Sequence, residues 1–199
     1  MRTAEQREWE GRSEIHGPRF ADSADGPAVR LVAFGAVPLS AALTRAARTL
    51  DWAPYVVDPR ARFATPERFP DAQRVLAAWP AEAYEQLGGL DEHTAVVALT
   101  HAPELDDEAL ALALRSQAFY VGALGSRNNQ RRRRERLAAA GIGDAELARL
   151  SGPAGLDLGG ATVAEAALAI LAEAVALRHG RGGARLSASE DAIHVGGRP

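Results

Sequence analysis

The feature that most narrows the folds open to this chain is a repeated unit, in which a short apolar run ends in a turn and a helical pattern follows. Arg30 to Gly35 (RLVAFG) reads as a buried strand. From Pro38 the apolar positions Leu39, Ala42, Leu43, Ala46, Ala47 and Leu50 recur at the spacing of one helix face, with Pro in the first turn. Tyr55 to Val57 is a second strand, ending in Asp58-Pro59-Arg60. Such a β-α-β unit requires a right-handed crossover and a parallel strand pair.

The unit recurs downstream. Phe63 to Pro70 holds two prolines and reads as a loop, Arg74 to Ala77 as a third short strand, and Ala81 to Leu87 as a helix. Thr94 to Thr100 (TAVVALT) is the clearest central strand, with His101 at its carboxyl end. Asp106 reads as the N-cap of the next helix, with Leu105 and Leu110 as its hydrophobic staple. Phe119 to Val121 forms a fifth strand, Gly122 and Gly125 turn the chain, and Ser126 caps a helix over Arg127 to Ala139. A shorter helix spans Asp144 to Leu150, SGPAGLDLGG is a loop, and Thr162 with Glu165 makes a capping box. The last helix carries Val163, Ala166, Ala167, Ile170, Leu171, Ala174 and Leu177 on its apolar face. Residues 1–28 read as a poorly ordered arm, 29–180 as the domain and 181–199 as a flexible tail.

Five strands alternating with helices predict an α/β fold with a doubly wound parallel sheet, in the order 3-2-1-4-5, and extra C-terminal helices. That topology locates the site. Where the strand order reverses, between strands 1 and 4, neighbouring helices leave on opposite faces and open a crevice at the carboxyl edge. Gly35 and Ala36 follow strand 1, Asp58 and Arg60 follow strand 2, His101 follows strand 4, and Gly122, Gly125, Ser126 and Arg127 follow strand 5. The expected anion contacts are Ser126 and Arg127, because a helix N-terminus presents free N–H groups and the positive end of its dipole.

Each candidate also has a structural alternative. His101 could donate to a ligand oxygen or bond a neighbouring loop, Asp58 could accept from ligand hydroxyls or cap the Pro59 turn, and Asp157 in GLDLGG could reach the cleft or fix its own turn. The four arginines Arg131 to Arg134 sweep about 300° of helix, at roughly 100° per residue, so they cannot share one solvated face. One or two must snorkel, pair with acids such as Glu135, or meet another protomer or a ligand.

Composition excludes several function classes. The 199 residues contain no Cys, which rules out disulfides, Cys-ligated metal and a thiol nucleophile within them. Lys is also absent, so all 23 basic residues are Arg, and the net charge of -3 gives no drive toward nucleic acid. No apolar run approaches the roughly 20 residues of a membrane span, and the polar start predicts a cytoplasmic protein. Five scattered His form no metal cluster, and no nucleophile–base pair stands out, so neither metal nor catalytic residues are assigned. A carrier is expected rather than an enzyme.

A dinucleotide is the usual ligand of such a crevice. Here the first turn reads Gly35-Ala36-Val37-Pro38-Leu39-Ser40, with Val37 and Ser40 where the fingerprint has its second and third Gly, although the Asp58 spacing still suits a ribose hydroxyl. NAD(P) binding is therefore the less favoured expectation.

The runs YVGALGSRNNQRRRRERLAAAGI and GPAGLDLGGATVAEAALAILAEAVALR, with VVDPRARFATPERFP and TAVVALTHAPELDDEAL upstream, resemble the Rossmann domain of the XdhC/CoxI family over about Leu31 to Arg178. The resemblance implies an accessory protein of molybdenum hydroxylases such as xanthine or CO dehydrogenase. Such proteins bind molybdenum cofactor (molybdopterin), hold it while a cysteine desulfurase supplies sulfur, and assist insertion into the apo-enzyme. A homodimer suits a family that hands over a large cofactor, with oligomeric state left open, while the charge and the apolar runs predict no nucleic-acid or membrane partner. Many relatives have G-A-G-H after strand 1 and T-H-D after strand 4, where this chain has Gly35-Ala36-Val37-Pro38 and Thr100-His101-Ala102. Many also carry an N-terminal XdhC/CoxI domain with a cysteine, which a homologous partner chain would have to supply here. Two alternatives remain: an NAD(P)-binding oxidoreductase, and a non-binding structural partner of a complete homologue.

Overall fold

The computed structural model describes residues 29–188, so the arm expected at 1–28 lies outside the described residues. Residues 29–184 belong to one compact unit. The described part of the other unit, 185–188, holds a single 3-10 turn, Leu186–Ala188.

A six-stranded sheet organises the larger unit, with strands β1 (Arg30–Phe34), β2 (Ala53–Val57), β3 (Arg74–Leu76), β4 (Thr94–Ala98), β5 (Tyr120–Ala123) and β6 (Leu150–Ser151). The order is β3-β2-β1-β4-β5-β6, and every pairing is parallel. The expected five-strand order is present, extended by one strand. β6 lies where the sequence suggests the end of a helix and the start of a loop; two residues are too few to show a strand period.

The helices are α1 (Pro38–Arg48), α2 (Pro80–Gln86), α3 (Pro103–Arg115), α4 (Arg127–Ala139), α5 (Asp144–Leu147) and α6 (Val163–Arg178). Alternation along β1 sorts them into layers. Leu31 and Ala33 face α1 and α6, in a core with Leu39, Leu43, Ile170 and Leu171. Val32 and Phe34 face the opposite layer, with Ala83 of α2, Leu110 and Leu114 of α3 and Leu137 of α4. Consecutive elements β1-α1 and β4-α3 thus leave the sheet on opposite faces, which opens the crevice between β1 and β4.

Four local expectations are corrected. Asp106 does not cap α3, which begins three residues earlier with Pro103 at its first position and Ala102 as N-cap. Proline fits there because its missing N–H has no helical acceptor to lose. Asp106 is instead buried, and its Oδ1 accepts from the Thr100 hydroxyl at 2.6 Å and the Thr100 amide at 3.2 Å. Gly122 is not in the turn after strand 5 but inside β5. On α6 the apolar face holds only its middle, because Val163 is 48% and Leu177 47% exposed. Leu50 lies beyond the end of α1 and is also exposed.

Two expected caps are present. Ser126 Oγ accepts from the Asn129 amide, and Thr162 exchanges bonds with Glu165, whose Oε2 accepts from the Thr162 amide at 2.8 Å. The arginines of α4 mostly serve the fold. Arg133 is buried and bonds Asp106 Oδ2 at 3.0 Å, while Arg134 donates to the carbonyls of Leu147 and Leu150 and so ties α5 and β6 to α4. The acids they meet are on α3, not the neighbouring Glu135.

Gly122 has a packing role. A Cβ built there would lie 2.6 Å from the Tyr120 hydroxyl and 2.8 Å from a ring carbon, and Tyr120 is pinned by a 2.6 Å bond from its hydroxyl to Glu173 Oε2 on α6. Gly122→Ala is expected to destabilise the fold by about 1–3 kcal/mol, the usual cost of overpacking a full core. Urea unfolding measures it; an unchanged midpoint would show that Tyr120 swings away freely.

Candidate functional site: the crevice between β1 and β4

A cleft of about 790 Å³ lies at the carboxyl edge of the sheet, where the topology places it. Its walls are largely apolar: Val37 and Leu39 from the start of α1, Leu99 after β4, Leu124 after β5, and Val163 with Ala166 from the start of α6. Arg60, Thr100, His101 and Thr162 supply the polar side chains. Few polar groups on apolar walls suit a ring-bearing ligand held by a small number of directed bonds.

Asp58 sets the geometry behind this cleft. It is wholly buried at the end of β2, and its Oδ2 accepts from the Ala36 amide at 2.8 Å, across the strand pair. The same carboxylate takes Arg60 in a two-pronged pair, Nε to Oδ1 at 2.9 Å and Nη2 to Oδ2 at 2.7 Å, and Oδ1 also accepts from the Arg60 amide. Burial by itself would raise the pKa of this carboxyl. The bonds from Arg60 and from the Ala36 amide outweigh it and hold Asp58 below the ordinary carboxylate range. Arg60 is thereby fixed at the cleft wall, with its guanidinium carbon 4.9 Å from the Phe63 ring centroid.

Three positions of the turn before α1 offer no free N–H. The Ala36 N–H is taken by Asp58, Pro38 has no N–H, and the Ser40 N–H bonds the Val37 carbonyl. Ser40, in the place of the third fingerprint Gly, is buried and donates its hydroxyl to the Gly35 carbonyl. Donors at the other two helix starts at the cleft are partly occupied as well. Glu165 Oε2 accepts from the Ala161 and Thr162 amides at α6, and before α3 the Thr100 hydroxyl accepts from the Ala102 amide.

With this geometry in place, comparison with known proteins is decisive. A model of the XdhC Rossmann domain family matches residues 31–174. The chain belongs to that family. It is 28% identical over 172 residues to a probable xanthine dehydrogenase subunit of Bacillus subtilis (strain 168), covering 83% of this chain and 50% of that protein. It is also 28% identical over 174 residues to the uncharacterized protein YqeB of Escherichia coli (strain K12), covering 86% of this chain and 32% of that one. The crystal structure of a xanthine dehydrogenase from Bacillus halodurans superposes with a TM-score of 0.66 at 27% identity, over 83% of this chain and 46% of that chain. The XdhC chain therefore spans half or less of the length of these relatives. Among the described residues, no helix is long and apolar enough to cross a membrane.

The expected site residues of the XdhC domain separate into groups. Arg60 and His101 line the cleft. Gly35, Ala36 and Asp58 lie directly behind it: a Cβ on Gly35, which has φ +119°, would meet Thr100 Cγ2 at 2.7 Å, so this Gly lets the ends of β1 and β4 approach. Gly125, Ser126 and Arg127 form the start of α4 but do not line the cleft, and Gly122 is the strand residue described above. Asp157 lines a separate hollow of about 240 Å³ between its loop and α6.

The sequence places Thr100 in the loop at the crevice without marking it as a contact, and it gives no sign of the wall formed by Gly160 to Val163. The capping box at Thr162 marked a helix start. Its position beside the crevice depends on how α6 packs back onto β1 and β5, which no local signal gives.

Asp58 gives a test with a defined sign. Asp58→Asn removes the ion pair and is expected to cost about 1–3 kcal/mol at pH ~7, the range for a buried polar bond broken on one side. Because the folded pKa of Asp58 lies below its ordinary value of 3.8, its contribution is present above that value and is lost as pH falls through the folded one. The stability gap between wild type and variant, measured by urea unfolding, should therefore shrink in acid. A gap that grew in acid would contradict the assignment.

Proposed function

We propose that this XdhC chain is an accessory protein in the maturation of molybdenum hydroxylases such as xanthine or CO dehydrogenase, and that its crevice holds the pterin of molybdenum cofactor during sulfuration and insertion. Membership of the XdhC family and the relatives' names support the association with xanthine dehydrogenase. The observation that carries the ligand class is the cleft itself, which is roomy and apolar with a few polar groups, beside an α1 turn with few donors left.

The residues present fit a ring-bearing ligand. Leu99, Val37 and Val163 offer apolar walls on which a flat ring can lie, and His101 and the outer edge of Arg60 offer hydrogen-bonding groups to its polar rim. When bound, the cofactor supplies the metal and the sulfur-accepting position. The chain's contribution is to hold and shield: its 199 residues contain no Cys, so the sulfur must come from a partner such as a cysteine desulfurase. The recipient is the apo-hydroxylase, and a homodimer or a cysteine-bearing XdhC/CoxI homologue is the proposed assembly.

Binding of freshly released molybdenum cofactor, followed by quenching of intrinsic tryptophan fluorescence, tests this reading with NADH and NADPH as parallel ligands. The expected result is micromolar or tighter cofactor binding, weakened at least ~10-fold by Val163→Trp, a loss of about 1.4 kcal/mol. Val163 is half-exposed at the cleft wall, so the substitution fills the cleft without disturbing the core. Preferential nicotinamide binding would make the domain an oxidoreductase module instead. Binding of neither, with copurification of a complete homologue, would make it a structural partner.

A further inference from the structure

We propose that a second pocket, between the starts of α3 and α4, is an oxyanion subsite that takes a phosphate monoester. The pocket encloses about 220 Å³ and is lined by His101 and Asp106 from one side and by Asn129, Arg132, Arg133 and Arg136 from the other. It is distinct from the helix N-terminus at Ser126 and Arg127, neither of which lines it.

Charge and donor inventory point to an anion. Three guanidiniums face the pocket, and two carboxylates offset them: Asp106 holds Arg133 at 3.0 Å, and Asp107 holds Arg136 through Nη2 at 3.0 Å. Asp106 also accepts from the Thr100 amide and hydroxyl, and the paired Arg133 offsets its charge. One full positive charge, that of Arg132, remains. Among the described residues, Arg132 and the side-chain amide of Asn129 have no partner within the protein.

Arg133 lies beneath the pocket, its side chain only 7% exposed and paired with Asp106 at 3.0 Å. Its Nε is sealed from the pocket, so Arg133 contributes charge to the site and the contacts fall to its neighbours. A phosphate brings three strong acceptor oxygens, enough to engage the Arg132 fork, the Asn129 amide and His101 together. A carboxylate has one fewer oxygen and less charge for the same set.

His101 and Leu124 line both cavities, so the two lie side by side. A ligand with its ring in the larger cleft could place a phosphate in the smaller one. Attribution of that phosphate to a pterin cofactor rests on the proposed function; the subsite itself does not.

Calorimetric titration of the full chain at low salt tests the subsite, with inorganic phosphate as probe and acetate as a second arm. Phosphate is expected to bind the wild type, to bind Arg132→Gln about 10-fold more weakly, as loss of one charge-assisted contact implies, and to bind Arg127→Gln unchanged. Arg132 is exposed and unpartnered, so its replacement should leave folding intact. No phosphate binding, equal binding of acetate, or equal loss in the Arg127 variant would overturn the proposal. Phosphate binding in a protein that does not bind molybdenum cofactor would support the subsite while rejecting the reading of the larger cleft. Competition between the two would identify the phosphate as the cofactor's own.

Discussion

The buried carboxylate of Asp58 is the interaction on which the site depends. It joins the ends of β1 and β2 through the Ala36 amide and fixes Arg60 at the cleft wall in the same stroke. A charge so placed is stable only because every lone pair faces a donor, and Arg60 supplies the compensating charge. In the usual dinucleotide fold the acid at this position serves the ligand. Here it serves the protein, and the amide that would face a pyrophosphate is already bonded.

The remaining chemistry follows from that displacement. With the Ala36 amide taken by Asp58, none at Pro38, and the Ala161 and Thr162 amides taken by Glu165, the large cleft is mainly apolar surface with a few directed polar groups. The positive charge of the site is gathered one helix further along, where α4 brings its arginines against the acids of α3. A ligand that suits both regions has a flat body and a separate anionic group. The proposed carrier role follows from this division, since it asks for no reactive side chain.

Much of the fold was legible because its signals are local. The apolar runs of β1 and β4, the Pro38 helix start and the Thr162–Glu165 box each follow from a few adjacent residues, and parallel β-α-β chirality then places the crevice. The errors have a common cause, which is a local signal overridden by a distant partner. Asp106 resembles a cap, yet its carboxylate reaches back to Thr100 and across to Arg133. Gly122 resembles a turn residue, yet it is required by the Tyr120 ring, which Glu173 holds over it. Arg133 was readable in principle: Gln130, Arg133 and Leu137, the buried positions of α4, share one face at helical spacing. An arginine among four does not announce that it is the buried one.

The central claim is that the crevice accepts a ring-bearing cofactor while the Asp58-bonded turn stays closed. Amide chemical shifts of the isotope-labelled protein, recorded as molybdenum cofactor and then NADH are added, test it most directly. The account predicts that the cofactor shifts the amides of His101, Leu124 and Val163 and leaves Ala36 in its carboxylate-bonded position, with NADH moving none of them. A shift of the Ala36 amide on adding NADH, with the cofactor leaving the cleft unchanged, would contradict it.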